Sequence, residues 1–136
     1  MSATNKLVRT QGDSQHDGGE RCVAASEVLA LIRDKWTILV LGALRRGGSL
    51  RYNALQRRIG GISQRMLTLT LKTLEENGLV TRTLFASVPP RVDYAMTPLG
   101  HTLIGPMRAL LDWSVEHRDE MAAARRAYAE RLSDAV

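Results

Sequence analysis

Five residues between positions 65 and 76 are spaced so that an α-helix would gather them on one face. At about 100° per residue, that face would carry Arg65, Thr68, Leu69, Lys72 and Glu76. An arginine can donate hydrogen bonds to a guanine edge, a leucine can contact a thymine methyl, and a lysine can bind a phosphate. This mixture predicts a recognition helix for the DNA major groove. The alternative is that these side chains are only exposed to solvent.

The same stretch carries signals for both ends of that helix. Ser63 can accept hydrogen bonds from free amides of the first turn, and Asn77 precedes Gly78, which can adopt the left-handed conformation that ends a helix. An apolar stripe opposite the polar face would pack inward, formed by Leu67, Leu71, Leu74 and then Leu79. These signals predict one amphipathic helix between Ser63 and Asn77.

Three further helices are predicted before this one. A short first helix begins near Ser26, and a second runs from Lys35 to Arg45 after a cap at Asp34. A third covers about Tyr52 to Ile59, and the turn Gly60–Gly61 joins it to the recognition helix. Two helices joined by a short glycine turn, the second with a polar outer face, fit the helix-turn-helix pattern.

Beyond Gly78 the apolar period changes from helical to alternating. Leu79–Phe85 and Arg91–Met96 alternate on either side of a loop that holds two prolines, which predicts a β-hairpin. A hairpin directly after a recognition helix is a wing. Arg91 at its base could reach a phosphate or the minor groove, whose negative potential attracts arginine.

The last predicted helix is long and begins with two start signals, Thr97 as cap and Pro98 at the first position. It would run to about Arg118, with a kink or bend near Gly105–Pro106. Its apolar surface is broader than one packing face requires. This breadth favours a helix shared with a second copy of the chain.

The chain divides into three predicted segments. Residues 1–19 are polar and without periodicity, so we expect a flexible arm. Residues 20–120 would form the winged helix-turn-helix domain with its dimerisation helices. Residues 121–136, rich in alanine and arginine, would form a helical tail.

Positive charge is concentrated in the middle of the chain. The 136 residues carry a net charge of +5, with a pI near 10.0. Between Arg45 and Arg91 there are nine basic side chains against two acidic ones, a net +7, whereas the remainder has ten against twelve, a net −2. This distribution is expected if only the middle segment meets a polyanion. The alternative is a solvated basic surface.

Composition disfavours several other classes of protein. No apolar run approaches the roughly 20 residues that span a bilayer, and the N-terminus lacks the apolar segment of a secretory signal. The single cysteine cannot form an internal disulfide, which fits the cytoplasm. We find no nucleophile elbow, phosphate loop or paired carboxylates typical of an enzyme. The three histidines are far apart in the chain, so we expect neither a metal nor another cofactor.

The motifs in this order resemble the HxlR-type bacterial transcriptional regulators, which are related in fold to the MarR group. The resemblance runs from about Cys22 to Glu120. It rests on Asp34–Leu41, Leu50–Leu55, Ile62–Thr68, Gly78–Arg82, Val88–Tyr94 and Thr97–Gly100. It implies a homodimer held by its N- and C-terminal helices, with two recognition helices on a near-palindromic operator. The predicted dimerisation residues are Leu29, Leu103, Met107, Leu110, Leu111 and Trp113.

The resemblance also implies a switch. Many members respond to oxidants or electrophiles through a cysteine just before the first helix, commonly followed by proline. Cys22 matches that position, but Val23 replaces the proline. The alternative is that Cys22 is a small buried hydrophobic residue. A pocket between the wing domain and the dimer helices could instead accept a small apolar effector, although Trp36 and Trp113 are more typical of a core than of a ligand platform.

We therefore expect a sequence-specific DNA-binding regulator, acting as a repressor on double-stranded DNA. The predicted DNA contacts are Arg51, Arg57, Arg58, Ser63, Gln64, Arg65, Thr68, Leu69, Lys72 and Arg91. The alternative is an architectural or protein-interaction module without sequence preference. A basic exposed surface satisfies that alternative equally well, whereas the polar face with its central leucine favours sequence reading.

Overall fold

The computed structural model describes residues 18–135, which form five helices and one three-stranded antiparallel sheet. In chain order the elements are α1 (helical over residues 18–32), α2 (Lys35–Gly47), β1 (Leu50–Arg51), α3 (Tyr52–Ile59), α4 (Gln64–Glu76), β2 (Val80–Phe85), β3 (Arg91–Met96) and α5 (Pro98–Asp134). The third and fourth helices are joined by a short turn and followed by a hairpin. This arrangement confirms the predicted winged helix-turn-helix fold, mainly α with a small β wing.

The sheet has the strand order β1, β3, β2. The hairpin pairs β2 with β3 from Val80 opposite Met96 to Phe85 opposite Arg91. The first strand adds to the other edge of β3, with Leu50 opposite Tyr94. The sequence does not predict β1, because two residues are too few to show an alternating pattern.

The core lies where α2, α3 and α4 meet the sheet. The apolar stripe predicted on α4 is buried, and Leu67, Leu71 and Leu74 are almost completely removed from solvent. They pack in one cluster with residues of the other elements, among them Val40, Leu41, Leu44, Leu55 and Val80. Thr70 of α4 is also buried, although the stripe did not include it. Burial of this stripe forces the opposite face of α4 outward.

Local hydrogen bonds fix both ends of α4. The Ser63 hydroxyl oxygen accepts a hydrogen bond from the Met66 amide at 3.1 Å, as expected for a cap. At the other end Gly78 has a φ of 73°, a left-handed conformation that side chains disfavour. The Leu79 amide donates to the Leu74 carbonyl, the bond that defines a Schellman ending.

One threonine joins the end of α4 to the start of α5. The Thr97 hydroxyl donates to the Gly78 carbonyl at 2.6 Å, and its oxygen accepts from the Gly100 amide at 3.0 Å. The Thr97 amide donates to the Leu79 carbonyl. The predicted cap therefore also fixes α5 against the chain segment that leads from α4 into the wing.

The first helix is longer than its apolar spacing predicts. The prediction begins near Ser26, whereas α1 already includes residues 18–25. Every residue of that part is exposed, so no apolar period marks it, and its alanines favour a helix. Of the predicted flexible arm, residues 1–17 lie outside the described residues, and the last two belong to α1.

The last helix is also longer than predicted. α5 continues through Pro106 and past residue 120 as one helix of 37 residues. The residue before a proline normally resists the helical conformation because its Cβ meets the ring. Gly105 has no Cβ, which removes that conflict, so the helix continues through the proline. It also continues without a break past the predicted boundary at residue 120.

Replacement of Gly100 by alanine is expected to lower the free energy of unfolding by about 1–3 kcal/mol, because a Cβ there would overlap the Leu79 carbonyl oxygen. Gly42 inside α2 is a control, since the nearest described atoms to a Cβ there belong to the Arg46 side chain, at 3.8 Å. Alanine at Gly42 is expected to leave stability unchanged or raise it by up to about 1 kcal/mol. Chemical denaturation measures both variants. Equal stability of Gly100→Ala and the parent chain would contradict the close approach of α5 to Leu79.

Candidate nucleic-acid interface

The outward face of α4 carries the predicted set of side chains. All five residues of the predicted face are exposed, and Leu69 keeps 55% of its surface accessible. Gln64 in the first turn lies beside them, and with four of the five it lines an open recess of about 530 Å³: Gln64, Arg65, Thr68, Leu69 and Lys72. The capping residue Ser63 is exposed at the same end of the helix. This surface can donate hydrogen bonds, accept them and offer an apolar contact.

The charge on this face is partly balanced along the helix. The Lys72 ammonium lies 3.9 Å from the Glu76 carboxylate one turn later, and both side chains are largely exposed. Exposed pairs of this kind contribute about 0–1 kcal/mol. Lys72 can therefore leave its acidic neighbour for a phosphate at little cost.

The third helix holds α4 in place through two polar side chains. The Tyr52 hydroxyl donates to the Gln64 carbonyl at 2.9 Å and lies 3.0 Å from the Thr68 hydroxyl. The Gln56 amide donates to the Ile62 carbonyl at 3.3 Å, just before α4. Sequence reasoning did not identify these residues. Their spacing of four residues, which places both on one face of α3, is the signal that could have found them.

A cleft of about 620 Å³ lies between α3 and the loop of the wing. Its lining includes three arginines from three different elements, Arg51 of β1, Arg57 of α3 and Arg91 of β3, together with Asn53. The fold thus gathers charges that are up to 40 positions apart in the chain. Asn53 was not among the predicted site residues, and only the tertiary structure places it here.

Arg91 is anchored at the base of the wing. Its guanidinium carbon lies 4.2 Å from the centre of the Phe85 ring, and its Nε lies 3.2 Å from the Asp93 carboxylate. These two buried atoms do not meet hydrogen-bond geometry with each other, so their attraction is mainly that of opposite charges. Arg91 lines the cleft at a defined position, and its outer nitrogens remain the part that an anion can approach.

The neighbouring arginines Arg57 and Arg58 point to different places. Arg57 lines the cleft beside the wing. Arg58 is also exposed, but its Nη1 lies only 2.8 Å from the position that a Cβ on Gly47 would occupy, at the C-terminus of α2. A cation there is favoured by the helix dipole. The predicted phosphate-binding pair is therefore divided between two sites.

The residues predicted at a subunit interface fall into two groups. Met107 is only 4% exposed and belongs to the core of its own protomer, so it is not available to a second copy. Leu103 and Leu111 are partly buried against the same core. The exposed members are Leu29, Leu110 and Trp113. On α1 and α5 the large exposed apolar side chains that the prediction did not include are Val23, Val28, Leu99, Val115, Met121, Tyr128 and Leu132.

Most of α5 has no buried face within the described chain. Its buried residues lie in the first three turns and are Gly100, Ile104 and Met107. A helix of 37 residues is about 55 Å long, so more than half of it extends beyond the last buried position. The exposed apolar side chains of that part form a large surface without a covering element in the described chain.

Cys22 is an exposed, free cysteine on α1. Its exposure contradicts the alternative of a small buried hydrophobic residue within the protomer. The two tryptophans also differ in environment. Trp36 packs against the core beneath the Lys35 ammonium, which is 4.6 Å from its ring, whereas Trp113 is 50% exposed and contacts the His117 ring.

The described residues contain no group of three or more His, Cys, Asp or Glu side chains arranged to hold a metal ion. Among the helices of residues 18–135, none combines the length and hydropathy needed to cross a membrane. An open recess of about 510 Å³ does lie between α1 and α4, with Leu69 in its lining. This recess lies between a predicted dimer helix and the winged helix-turn-helix domain, which is where the sequence suggests an effector pocket. Binding of an effector there stays a prediction.

Comparison with known proteins places this geometry among regulators of transcription. The family model described as HxlR-like helix-turn-helix matches residues 31–122. The uncharacterised HTH-type transcriptional regulator YtfH of Escherichia coli (strain K12) is 40% identical over 106 residues, which cover 78% of this chain and 82% of that protein.

Solved structures show the same similarity. The redox regulator HypR in its reduced form is 35% identical and superposes with a TM-score of 0.62, over 74% of this chain and 98% of that one. The reduced form of the transcriptional regulator YodB from B. subtilis is 29% identical with a TM-score of 0.60, over 65% of this chain and 86% of that one. Both similarities cover most of the solved chain.

Proposed function

Because the chain belongs to the HxlR-like helix-turn-helix family of transcriptional regulators, we propose that it binds operator DNA as a homodimer and reads sequence with α4. The observation that carries this proposal is the outward face of α4, a base-reading set of side chains on a helix whose opposite face is buried. Such a helix fits the major groove, and two-fold symmetry would place the two half-sites about 34–36 Å apart.

The residues of α4 take different roles in this proposal. Arg65 donates to a guanine edge, and Leu69 contacts a thymine methyl. Gln64 and Ser63 lie at the N-terminal end of the helix, where contacts to bases and phosphates are concentrated. Lys72 binds phosphate rather than a base edge. The exposure of all of these side chains supports these assignments.

The arginine cleft supplies the second set of contacts. Arg51, Arg57 and Arg91 lie beside the wing, and the backbone of DNA held by α4 would pass this side of the protein. Three phosphates per protomer at this cleft and one at Lys72 correspond to about eight per dimer, which predicts a slope near −7 for log affinity against log salt. Arg58 is not part of this set.

The second copy would bind through α1 and α5. Their exposed apolar side chains, the unburied length of α5 and the broad apolar surface seen in its sequence all support a subunit interface there. The interface we propose centres on Leu29, Leu110 and Trp113. A dimer of this kind would present its two α4 helices on one side.

Replacement of Arg65 by alanine is expected to weaken operator binding by about 1–3 kcal/mol and to relax preference at one base position of each half-site. Selection of bound sequences from random duplexes measures both effects, and its half-site spacing tests the dimer. Lys72→Ala is the matched control on the same face, since loss of a phosphate contact lowers affinity for all sequences alike. An unchanged binding motif for Arg65→Ala would reject its assignment. Equal affinity of the parent chain for every duplex would instead favour the architectural module.

The separated arginines provide a second test. Arg57→Ala removes one phosphate contact per protomer, so the salt slope of the dimer should become shallower by about 1.8. Arg58→Ala should leave the slope unchanged and lower stability by about 0.3–1 kcal/mol through loss of its charge at the α2 C-terminus. Fluorescence anisotropy at several salt concentrations measures the slopes, and denaturation measures stability. Equal slopes for the two variants would contradict the division of the pair.

A second element of the proposal is a thiol switch. Cys22 is exposed on α1, one of the helices proposed to dimerise. Of the two similar solved structures, HypR is described as a redox regulator and YodB as a transcriptional regulator in its reduced form. Two Cys22 thiols, one from each protomer, would form a disulfide by losing two protons and two electrons to an oxidant. Reaction of a single Cys22 with a small disulfide or an electrophile is the other route.

Stoichiometric alkylation of Cys22 is expected to change operator affinity at least several-fold, because the added group would lie beside the proposed dimer contacts. Cys22→Ser should bind DNA normally and ignore the reagent. Binding titrations before and after treatment make the comparison, with mass spectrometry to count the modified thiols. Full modification of the parent chain without any change in affinity would rule out the switch.

A further inference from the structure

The hydroxyl of Tyr52 has a single proton, and its neighbours decide where that proton goes. The Gln64 carbonyl oxygen, 2.9 Å away, can only accept, so Tyr52 must donate to it. The Thr68 hydroxyl lies 3.0 Å from the same tyrosine oxygen. Because the Tyr52 proton is already donated to the Gln64 carbonyl, the Thr68 hydroxyl must be the donor in this second hydrogen bond. The proton of the Thr68 hydroxyl therefore points toward the Tyr52 hydroxyl of α3.

The direction of that proton defines what Thr68 can bind. A free threonine hydroxyl both donates and accepts, because it rotates to suit its partner. The Thr68 hydroxyl uses its only proton in the hydrogen bond to Tyr52. On its exposed side it therefore has only lone pairs, which can accept a hydrogen bond. Thr68 is exposed on the same face as Arg65 and Lys72. Toward a ligand in the groove it acts as an acceptor alone.

We propose that Tyr52 makes Thr68 an acceptor-only reader, so that α4 selects a base with an exocyclic amino group at one position of each half-site. Adenine presents its N6 amino group and cytosine its N4 amino group in the major groove, whereas guanine O6 and thymine O4 are acceptors. Two acceptors facing each other form no hydrogen bond. Thr68 thus prefers adenine over guanine, or cytosine over thymine. This inference rests on the proposed binding of α4 in the major groove.

Tyr52 is a positioning residue in this arrangement, and its own place is fixed by packing. It lies at the first position of α3, half-buried, with its ring centre 6.4 Å from that of Tyr94. Gln64 and Thr68 are one turn apart on α4 and present both of their groups to the same tyrosine oxygen. A phenylalanine would keep this ring packing and remove only the hydroxyl.

The test is selection of bound duplexes with the full-length chain and its Tyr52→Phe variant. The Thr68→Val variant is expected to lose base preference at one position of each half-site, which identifies the base that Thr68 contacts. At that position the parent chain is expected to select a base with an amino group. Tyr52→Phe frees the Thr68 proton, so preference between amino and keto bases there should fall by about three- to tenfold, while all other positions keep theirs. Replacing adenine at that position by purine, or cytosine by 2-pyrimidinone, deletes the amino group and should weaken the parent chain by the same factor.

The double variant Tyr52→Phe/Thr68→Val tells whether Tyr52 acts by orienting the Thr68 proton or by a general effect on the structure of α4. In the Thr68→Val background, Tyr52→Phe should change nothing at that position, because there is no hydroxyl left to orient. A keto base preferred by the parent chain, a Tyr52→Phe motif identical to the parent motif, or relaxation of every position together would overturn the inference and leave the proposed function standing. Failure of the parent chain to select any sequence would overturn both. Thermal unfolding of each variant, expected within a few degrees of the parent, shows that the fold is retained.

Discussion

Burial of one side of α4 is the constraint on which the rest of the structure depends. Leu67, Leu71 and Leu74 can leave water only by packing against α2, α3 and the sheet, and this packing sets the rotation of the helix about its axis. Once that rotation is fixed, the polar side chains have no choice but to face outward together. The hydrogen bonds from Tyr52 and Gln56 then fix the N-terminal end of α4 relative to α3. Hydrophobic packing supplies most of the free energy, and the polar bonds supply the geometry.

Features that depend on a few neighbouring residues could be predicted from the sequence. The cap at Ser63, the left-handed Gly78, the start of α5 at Thr97 and the bounds of α3 all follow from local chemistry. What could not be predicted depends on contacts between distant segments. β1 forms only because β3 is beside it, and Met107 faces inward only because the first turns of α5 lie on the core. The arginine cleft is of the same kind, since nothing in the sequence shows that Arg51 and Arg91 lie on one side of the wing.

The proposed DNA-binding surface combines two ways of holding a charge. Lys72 is long, exposed and weakly paired, so it can adjust to the ligand. Arg91 is held by Phe85 and Asp93, so its entropy is already lost before any anion arrives. The nearby acid lowers the local potential, but the fixed guanidinium needs little reorganisation on binding. The flexible Lys72 on α4 would adjust to small differences in phosphate position. The anchored Arg91 at the wing would fix where the DNA backbone lies relative to the protein.

The length of α5 has a consequence for how this chain can change over time. Each residue of a helix advances the axis by about 1.5 Å and turns it by about 100°. After Met107, α5 has no further buried residue in the described chain, so packing within the protomer hardly constrains the rotation of the apolar side chains near its end, such as Tyr128 and Leu132. Gain or loss of one residue there would swing the distal apolar side chains about a quarter of the way around the axis. A change of seven, close to two whole turns, would keep them nearly aligned. The distal part of α5 should therefore vary in length by near-whole turns among relatives that keep the same pairing.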